Sequence, residues 1–187
     1  MAPPGLRVIA GSVRGRRLAA PAGDDIRPTK GIVREAMFSA LSSRGAIADA
    51  VVLDLYAGTG ALGLEALSRG ADRAVLVERD RRALEAIEAN VEHTGFVDRA
   101  RVVRSDVEDF LDAPPPPEAP FDLVFADPPY DDASAVAHSL ADALPALVDE
   151  NARIVTESDK RNPLVLPLPL LVERNYGDTR IAIHSAT

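Results

Sequence analysis

The chain has 187 residues, 47% hydrophobic and 27% charged, which fits one ordinary domain with a sizeable core and excludes a disordered chain. It has no cysteine, which excludes disulfides, thiolate metal sites and a cysteine nucleophile, and with the nucleophile the covalent-adduct route to methylation at carbon 5 of a pyrimidine. The net charge of −8 argues against nucleic acid, yet seven basic residues (Arg7, Arg14, Arg16, Arg17, Arg27, Lys30 and Arg34) against two acidic ones (Asp24 and Asp25) precede Glu35, so a basic arm sits on an acidic body. No apolar run is long enough to span a bilayer and no signal-peptide core follows Met1, so a cytoplasmic monomer without membrane partners is expected. His93, His138 and His184 are scattered, and no metal site is expected.

In chain order, Leu6–Val8 and a segment around Val13, separated by Gly11, predict two short strands of a hairpin, and Pro21 and Gly23 end the pattern. Residues 1–28 thus read as a basic hairpin arm and 29–187 as the main domain. Pro28 marks a helix start with Thr29 able to cap it, and Val33, Met37, Ala40 and Leu41 recur at helical spacing. Strand and helix then alternate. Val51–Leu55 is a strand, Ala61–Ser68 a helix ended by Gly70, and Arg73–Glu78 a strand. Asp80 caps a helix running to about His93 and stopped by Gly95. Arg101–Arg104 is a strand, Val107–Leu111 a short helix, Pro114–Pro117 a rigid connector, and Phe121–Ala126 a strand. Ala133–Leu147 is a helix bent near Pro145, Arg153–Thr156 a strand, and Leu170–Glu173 with Thr179–His184 a closing antiparallel pair around Tyr176-Gly177-Asp178. The alternation predicts an α/β fold with a mainly parallel sheet of about seven strands, covered by helices.

The segment Asp54-Leu55-Tyr56-Ala57-Gly58-Thr59-Gly60-Ala61-Leu62-Gly63 is a strand end, a glycine turn and a helix start. Gly58, Gly60 and Gly63, with Glu78 twenty residues after Gly58, also spell the dinucleotide fingerprint, so an NAD-dependent oxidoreductase is one reading. Asp54 just before the turn disfavours a pyrophosphate there and suits a ligand with an ammonium and a sulfonium. Glu78, followed by Arg79, can grip ribose hydroxyls, while Asp106 can accept from an adenine amino group and the Val107 N–H can donate to the ring. Three successive strand ends therefore line one nucleoside-plus-methionine ligand, S-adenosylmethionine, with Tyr56, Gly58 and Gly60 forming the turn around it.

Phe121–Ala126 ends in Asp127-Pro128-Pro129-Tyr130. Pro128 restricts Asp127 to extended backbone, and Pro128 and Pro129 stiffen the turn. The Asp127 carboxylate and the Pro128 carbonyl make two acceptors for the two hydrogens of an exocyclic amino group, and Tyr130 can stack on the base. Held so, the conjugated nitrogen lone pair is aimed at a methyl donor.

These residues resemble the class I (Rossmann-like) methyltransferases with an Asp/Asn-Pro-Pro-aromatic motif. More closely they resemble the 16S rRNA guanine-N2 methyltransferase family of the RsmD type. The likeness is carried by Arg7-Val8-Ile9-Ala10-Gly11, Arg14-Gly15-Arg16-Arg17-Leu18, Arg27-Pro28-Thr29, Val33-Arg34-Glu35, Phe38, the run from Asp54 to Ala71, Glu78, Asp106 and Asp127–Tyr130. Tyr56 and Thr59 stand where that family often has Phe and Ser. The resemblance implies methylation of one guanine N2 in 16S rRNA on an assembled small subunit. It places Arg27 and Thr29 near the cofactor and substrate mouth, and Arg7, Arg14, Arg16, Arg17 and Arg34 against rRNA. The tetrapeptide itself also suits an adenine N6 of DNA or a protein glutamine.

Overall fold

The computed structural model describes residues 5–21, 28–129 and 133–187. Among them are strands β1 (Val51–Leu55), β2 (Arg73–Glu78), β3 (Ala100–Arg104), β4 (Phe121–Ala126), β5 (Val148–Asp159), β6 (Leu170–Tyr176) and β7 (Thr179–Ser185). The helices are α1 (Pro28–Ser42), α2 (Ala61–Ser68), α3 (Arg81–Thr94), α4 (Val107–Asp112) and α5 (Ala133–Leu147). The sheet order is β3-β2-β1-β4-β5-β7-β6. β1 to β5 pair in parallel, and β7 runs antiparallel between β5 and β6. The chain winds outward from β1 through β2 to β3, then returns to place β4 on the other side of β1. The two halves diverge between β1 and β4, the switch point of the sheet, and open sheets of this kind bind ligands outside the carboxyl ends of the strands at such a point.

Side-chain alternation along the strands builds a core on each face. Val52, Leu76, Leu123 and Phe125 pack with Phe38 of α1, Leu64 of α2 and Ile87 of α3. Leu53, Val75, Val124 and Ala126 pack with Val107 and Phe110 of α4 and Leu140 of α5. Burying each such side chain stabilises by about 1.5–3 kcal/mol, and because both faces are covered the inner strands read as unbroken apolar runs. The Asp80 cap of α3 is as expected: its carboxylate accepts from the Arg82 and Ala83 amides, and Gly95 closes the far end at φ 78°.

Several boundaries differ from the sequence expectation. The N-terminal hairpin has a single bridge, Arg7 to Arg17, rather than two strands. The amides of Ile9 and Ala10 turn away to the Glu65 carboxylate, and Val8 and Leu18 are buried in the main core, so the arm is welded to the domain. α1 begins at Pro28, which places Thr29 inside the first turn instead of at the cap. α5 runs through Pro145 to Leu147, since a proline in the last turn removes one hydrogen bond just where the helix is ending. β5 is twelve residues long: it starts at Val148, which pairs with Phe121 of β4 ahead of a register shift, and β7 pairs with it on to Asp159, past the point where β4 stops. β6 likewise extends to Tyr176.

Candidate active site at the carboxyl ends of the central strands

β1 leads directly into the glycine turn. Tyr56 has φ 60°, Gly58 58° and Gly60 74°, so the chain passes through left-handed backbone three times in five residues. Tyr56 does so with a full side chain, a strain that clusters at functional sites. Gly63 is required for a different reason: a Cβ there would lie 2.3 Å from the Leu76 side chain and 3.3 Å from Asp54 Oδ2. Its absence lets α2 pack tightly on β1 and β2.

The acids at the strand ends are held by this turn. Asp54 is 1% exposed, and its Oδ2 accepts the Gly63 N–H at 2.9 Å. Burial pushes its carboxyl up to about 7; the Gly63 hydrogen bond opposes this, and the charges of Asp127 and Glu78 add to it. Glu78 Oε2 accepts the Gly58 N–H at 2.9 Å, and its Oε1 accepts the Arg79 and Asp80 amides at 2.7 and 2.8 Å. Asp106 caps α4 through the Glu108 N–H at 3.1 Å and pairs with Arg79 Nη1 at 2.6 Å. The Arg79 hydrogen bond holds the Asp106 carboxyl below the usual carboxylate range. Val107 begins α4 with its side chain buried. The Arg79 side chain is largely solvent-exposed and can swing aside to clear Asp106 for a ligand.

Asp127 follows β4, the immediate neighbour of β1, and is half-buried; Pro128 is buried and Pro129 exposed. Its influence on Asp54 places both acids in one electrostatic cluster with Glu78. Below it, Phe125 contacts Phe38 of α1 with ring centroids 5.6 Å apart. Arg27 and Tyr130 lie outside the described residues, as does the Thr29 side chain. Among the described residues no group of three or more His, Asp or Glu side chains is arranged to hold a metal ion, and no helix is long and apolar enough to cross a membrane.

The arm divides the predicted RNA contacts. Arg7, Arg14, Arg16 and Arg17 are exposed, and Arg16 Nη1 donates to the His93 carbonyl at the end of α3. Arg34 corrects the expectation. It is 7% exposed, its Nη2 donates to the Arg7 carbonyl, and burial lowers its pKa against the raising charge of Glu65. It faces inward because its helix position is on the buried side beside Val33 and Met37. Arg34 therefore ties the arm to α1 rather than reaching RNA.

Residues that sequence reasoning missed do the docking. Glu65, 0% exposed, accepts the Ile9 N–H at 2.7 Å, the Ala10 N–H at 3.0 Å and Arg69 Nε at 2.7 Å. Ser68 Oγ donates to the Ala10 carbonyl and accepts from Val13 N–H, and the Ser68 carbonyl accepts the Ser12 N–H. Gly11 fits this approach at φ +86°, where a Cβ would lie 1.8 Å from the Ser68 carbonyl oxygen. The available signal was an ionisable residue inside an otherwise apolar helical run, Ala61-Leu62-Gly63-Leu64-Glu65-Ala66-Leu67.

Asp54 sets a pH dependence. Its folded pKa, about 7, lies above the unfolded value of about 3.9, so its contribution to stability is complete below about pH 4 and is lost as pH rises through 7. Asp54→Asn is expected to flatten the fall in Tm between pH 5 and pH 8; an identical slope in both proteins defeats this assignment.

Acids at successive strand ends beside a glycine turn, on a sheet of this order, mark a class I methyltransferase, the class that uses S-adenosylmethionine. The family model described as "Conserved hypothetical protein 95" matches residues 6–185, and the chain belongs to that family, the RsmD-type methyltransferases. Ribosomal RNA small subunit methyltransferase D of Haemophilus influenzae is 34% identical over 181 residues, 92% of this chain and 89% of that protein. The Escherichia coli K12 protein of the same name is 43% identical over 125 residues, 67% of this chain and 60% of its own length. The solved structure of Escherichia coli yhhF superposes with a TM-score of 0.82 at 35% identity, covering 96% of this chain and 97% of that one. An RNA methyltransferase of Salinibacter ruber, solved in complex with S-adenosyl-L-homocysteine, shares the fold with a TM-score of 0.65 at 17% identity, covering 86% of this chain and 94% of its own.

Proposed function

We propose that this protein transfers the methyl group of S-adenosylmethionine to the exocyclic N2 of one guanine in 16S rRNA, within the assembled small subunit, acting as a cytoplasmic monomer. The observation that carries the reading is Asp127-Pro128 at the end of β4, beside the glycine turn of β1. The donor fits the turn on chemical grounds. The site gathers Asp54, Glu78 and Asp127, a negative cluster that favours a ligand bearing ammonium and sulfonium charge and repels the pyrophosphate of NAD. When bound, S-adenosylmethionine would supply an electrophilic methyl group on its sulfonium and leave as the neutral thioether S-adenosylhomocysteine.

The chain's own residues do the rest. The Glu78 carboxylate braces the turn and is placed for the ribose hydroxyls, and Asp106 with the start of α4 is placed for the adenine. The Asp127 carboxylate and the Pro128 carbonyl accept the two amino hydrogens of the guanine, holding its nitrogen in line with the methyl. Such alignment supplies up to roughly 7–11 kcal/mol of the barrier. As the carbon–nitrogen bond forms and the carbon–sulfur bond breaks, the amino proton becomes acidic and passes to Asp127 or to water behind it. A guanine in folded RNA must be splayed out to reach this site.

The arm supports an RNA substrate. Its tip, tied to Ser68, lies at the far end of α2 from the glycine turn, about 12 Å along that helix. Phosphates touched by Arg14 and Arg16 are therefore distinct from those of the target nucleotide. Replacing Arg14, Arg16 and Arg17 together with alanine is expected to weaken binding to small subunits and to reduce the slope of log affinity against log salt by about 0.7–0.9 per lost phosphate contact. Unchanged binding and slope mean that the arm is only solvated.

Transfer of labelled methyl to purified small subunits, naked 16S rRNA and DNA, followed by nucleoside analysis, tests the substrate. N2-methylguanosine in small subunits is expected, and N6-methyladenosine or label in DNA overturns the assignment.

A further inference from the structure

Asn90 lies on α3, about one turn before its end, and is 1% exposed. Its Oδ1 accepts the Ala19 N–H at 2.6 Å, and its Nδ2 donates to the Ala19 carbonyl at 3.0 Å. The side-chain amide thus pairs with the arm's backbone as a neighbouring strand would. The second Nδ2 hydrogen goes to the Thr59 carbonyl at 2.9 Å. Both donors and the acceptor are used, so the amide has one orientation and three partners. Thr59 sits between Gly58 and Gly60, both in left-handed backbone, and Glu78 takes the Gly58 N–H from another side. The turn is therefore gripped by two side chains, and one of these also grips the arm.

We infer that Asn90 is a positioning residue for the methyl-donor turn, and that by holding Ala19 and Thr59 on one amide it makes the basic arm part of the wall of the cofactor site. This rests on the assignment of the glycine turn to S-adenosylmethionine and of the arm to RNA. Arg16 and Arg17 stand three and two residues before Ala19, on the same short stretch of backbone. RNA held against this stretch presses on the amide and hence on the turn, and a ligand in the turn acts back on the arm through the same three hydrogen bonds, so the two bindings tighten each other by the same factor.

Asn90→Leu keeps the approximate volume and deletes all three hydrogen bonds. Val91→Ala, at the next buried position of α3, is the control for loss of core packing. With small subunits saturating, Asn90→Leu is expected to raise KM for S-adenosylmethionine and Kd for S-adenosylhomocysteine about tenfold, as for a lost buried hydrogen-bond set, with kcat within about threefold of wild type. Val91→Ala is expected to leave both constants unchanged at a comparable fall in Tm. Small subunits are expected to tighten S-adenosylhomocysteine binding by wild type and not by Asn90→Leu. Equal KM values for S-adenosylmethionine in Asn90→Leu and Val91→Ala overturn the positioning role, and wild-type affinity indifferent to small subunits overturns the coupling. Should Asn90→Leu fail to fold, Asn90→Asp carries the same comparison, since it keeps the acceptor for Ala19 and turns an oxygen toward the two carbonyls. Wild type that does not bind S-adenosylhomocysteine at all defeats the assignment of the turn instead, which calorimetry on wild type alone reveals.

Discussion

Asp127→Ala is expected to lower kcat for methyl transfer by about 10²–10⁴ while leaving the affinity for S-adenosylhomocysteine within about threefold. The side chain stands at the end of β4, where Pro128 fixes its backbone and the buried Phe125 and Phe38 support the strand beneath it. Truncation leaves the amino group with the Pro128 carbonyl as its single acceptor and removes the nearest base. The turn, Glu78 and Asp106 are untouched, which is why donor binding survives. Asp127→Asn separates the two contributions: it keeps an acceptor oxygen and loses the base, so an intermediate rate measures positioning. Because the Asp127 charge raises the Asp54 pKa, both variants are also expected to lower that pKa, readable by carbon-13 NMR of the Asp54 carboxyl. Single-turnover rates at saturating donor give the first comparison, and turnover equal to wild type in Asp127→Ala would falsify the mechanism.

Glu65→Ala is expected to cost about 3–5 kcal/mol of stability, the range for removing one partner from a buried charged pair. The carboxylate is wholly buried and satisfies the Ile9 and Ala10 amides and the Arg69 guanidinium, with Arg34 close enough to feel its charge. Without it two amides and the Arg69 guanidinium lose their shared acceptor, Arg34 loses a compensating charge, and Arg69, which also lies over the Phe38 ring at 5.0 Å, loses the partner that positions it there. For a chain of this size the change corresponds to a fall in Tm of roughly 10 °C or more. The arm should also become cleavable near Gly11 before the domain unfolds. Calorimetric melting together with limited proteolysis reads both; a Tm within 2 °C of wild type, by the same conversion about 1 kcal/mol or less, rules out this anchoring role.

The local structure at the strand ends was legible in the sequence because each part of it is local. Asp54 to Gly63 carries its strand, turn and helix start within ten residues, and Asp127-Pro128-Pro129 writes its own backbone restriction. Asp80 and Gly95, likewise, are caps whose partners lie within four residues. Where the expectation failed, the partner was far away in the chain. β5 could not be read to Asp159 because its extra length is paired only by β7, and the two hairpin strands dissolved because Ile9 and Ala10 bond to a residue some 55 positions later.

The sequence by itself therefore determined the class of fold, the glycine turn after β1 and the proline-stiffened end of β4, since glycine spacing, proline restriction and hydrophobic alternation act over a few residues. Tertiary structure alone decided what the basic block is. Arg34, one of its seven cations, is buried as a tie to the Arg7 carbonyl, while Arg14 and Arg16 reach the surface at the far ends of α2 and α3. It also decided that the buried amide of Asn90 and the buried carboxylate of Glu65 hold the arm to the donor turn and its helix. Burial and hydrogen-bond partnership between residues 27 to 71 positions apart depend on how the helices lie on the sheet, and no local pattern encodes that.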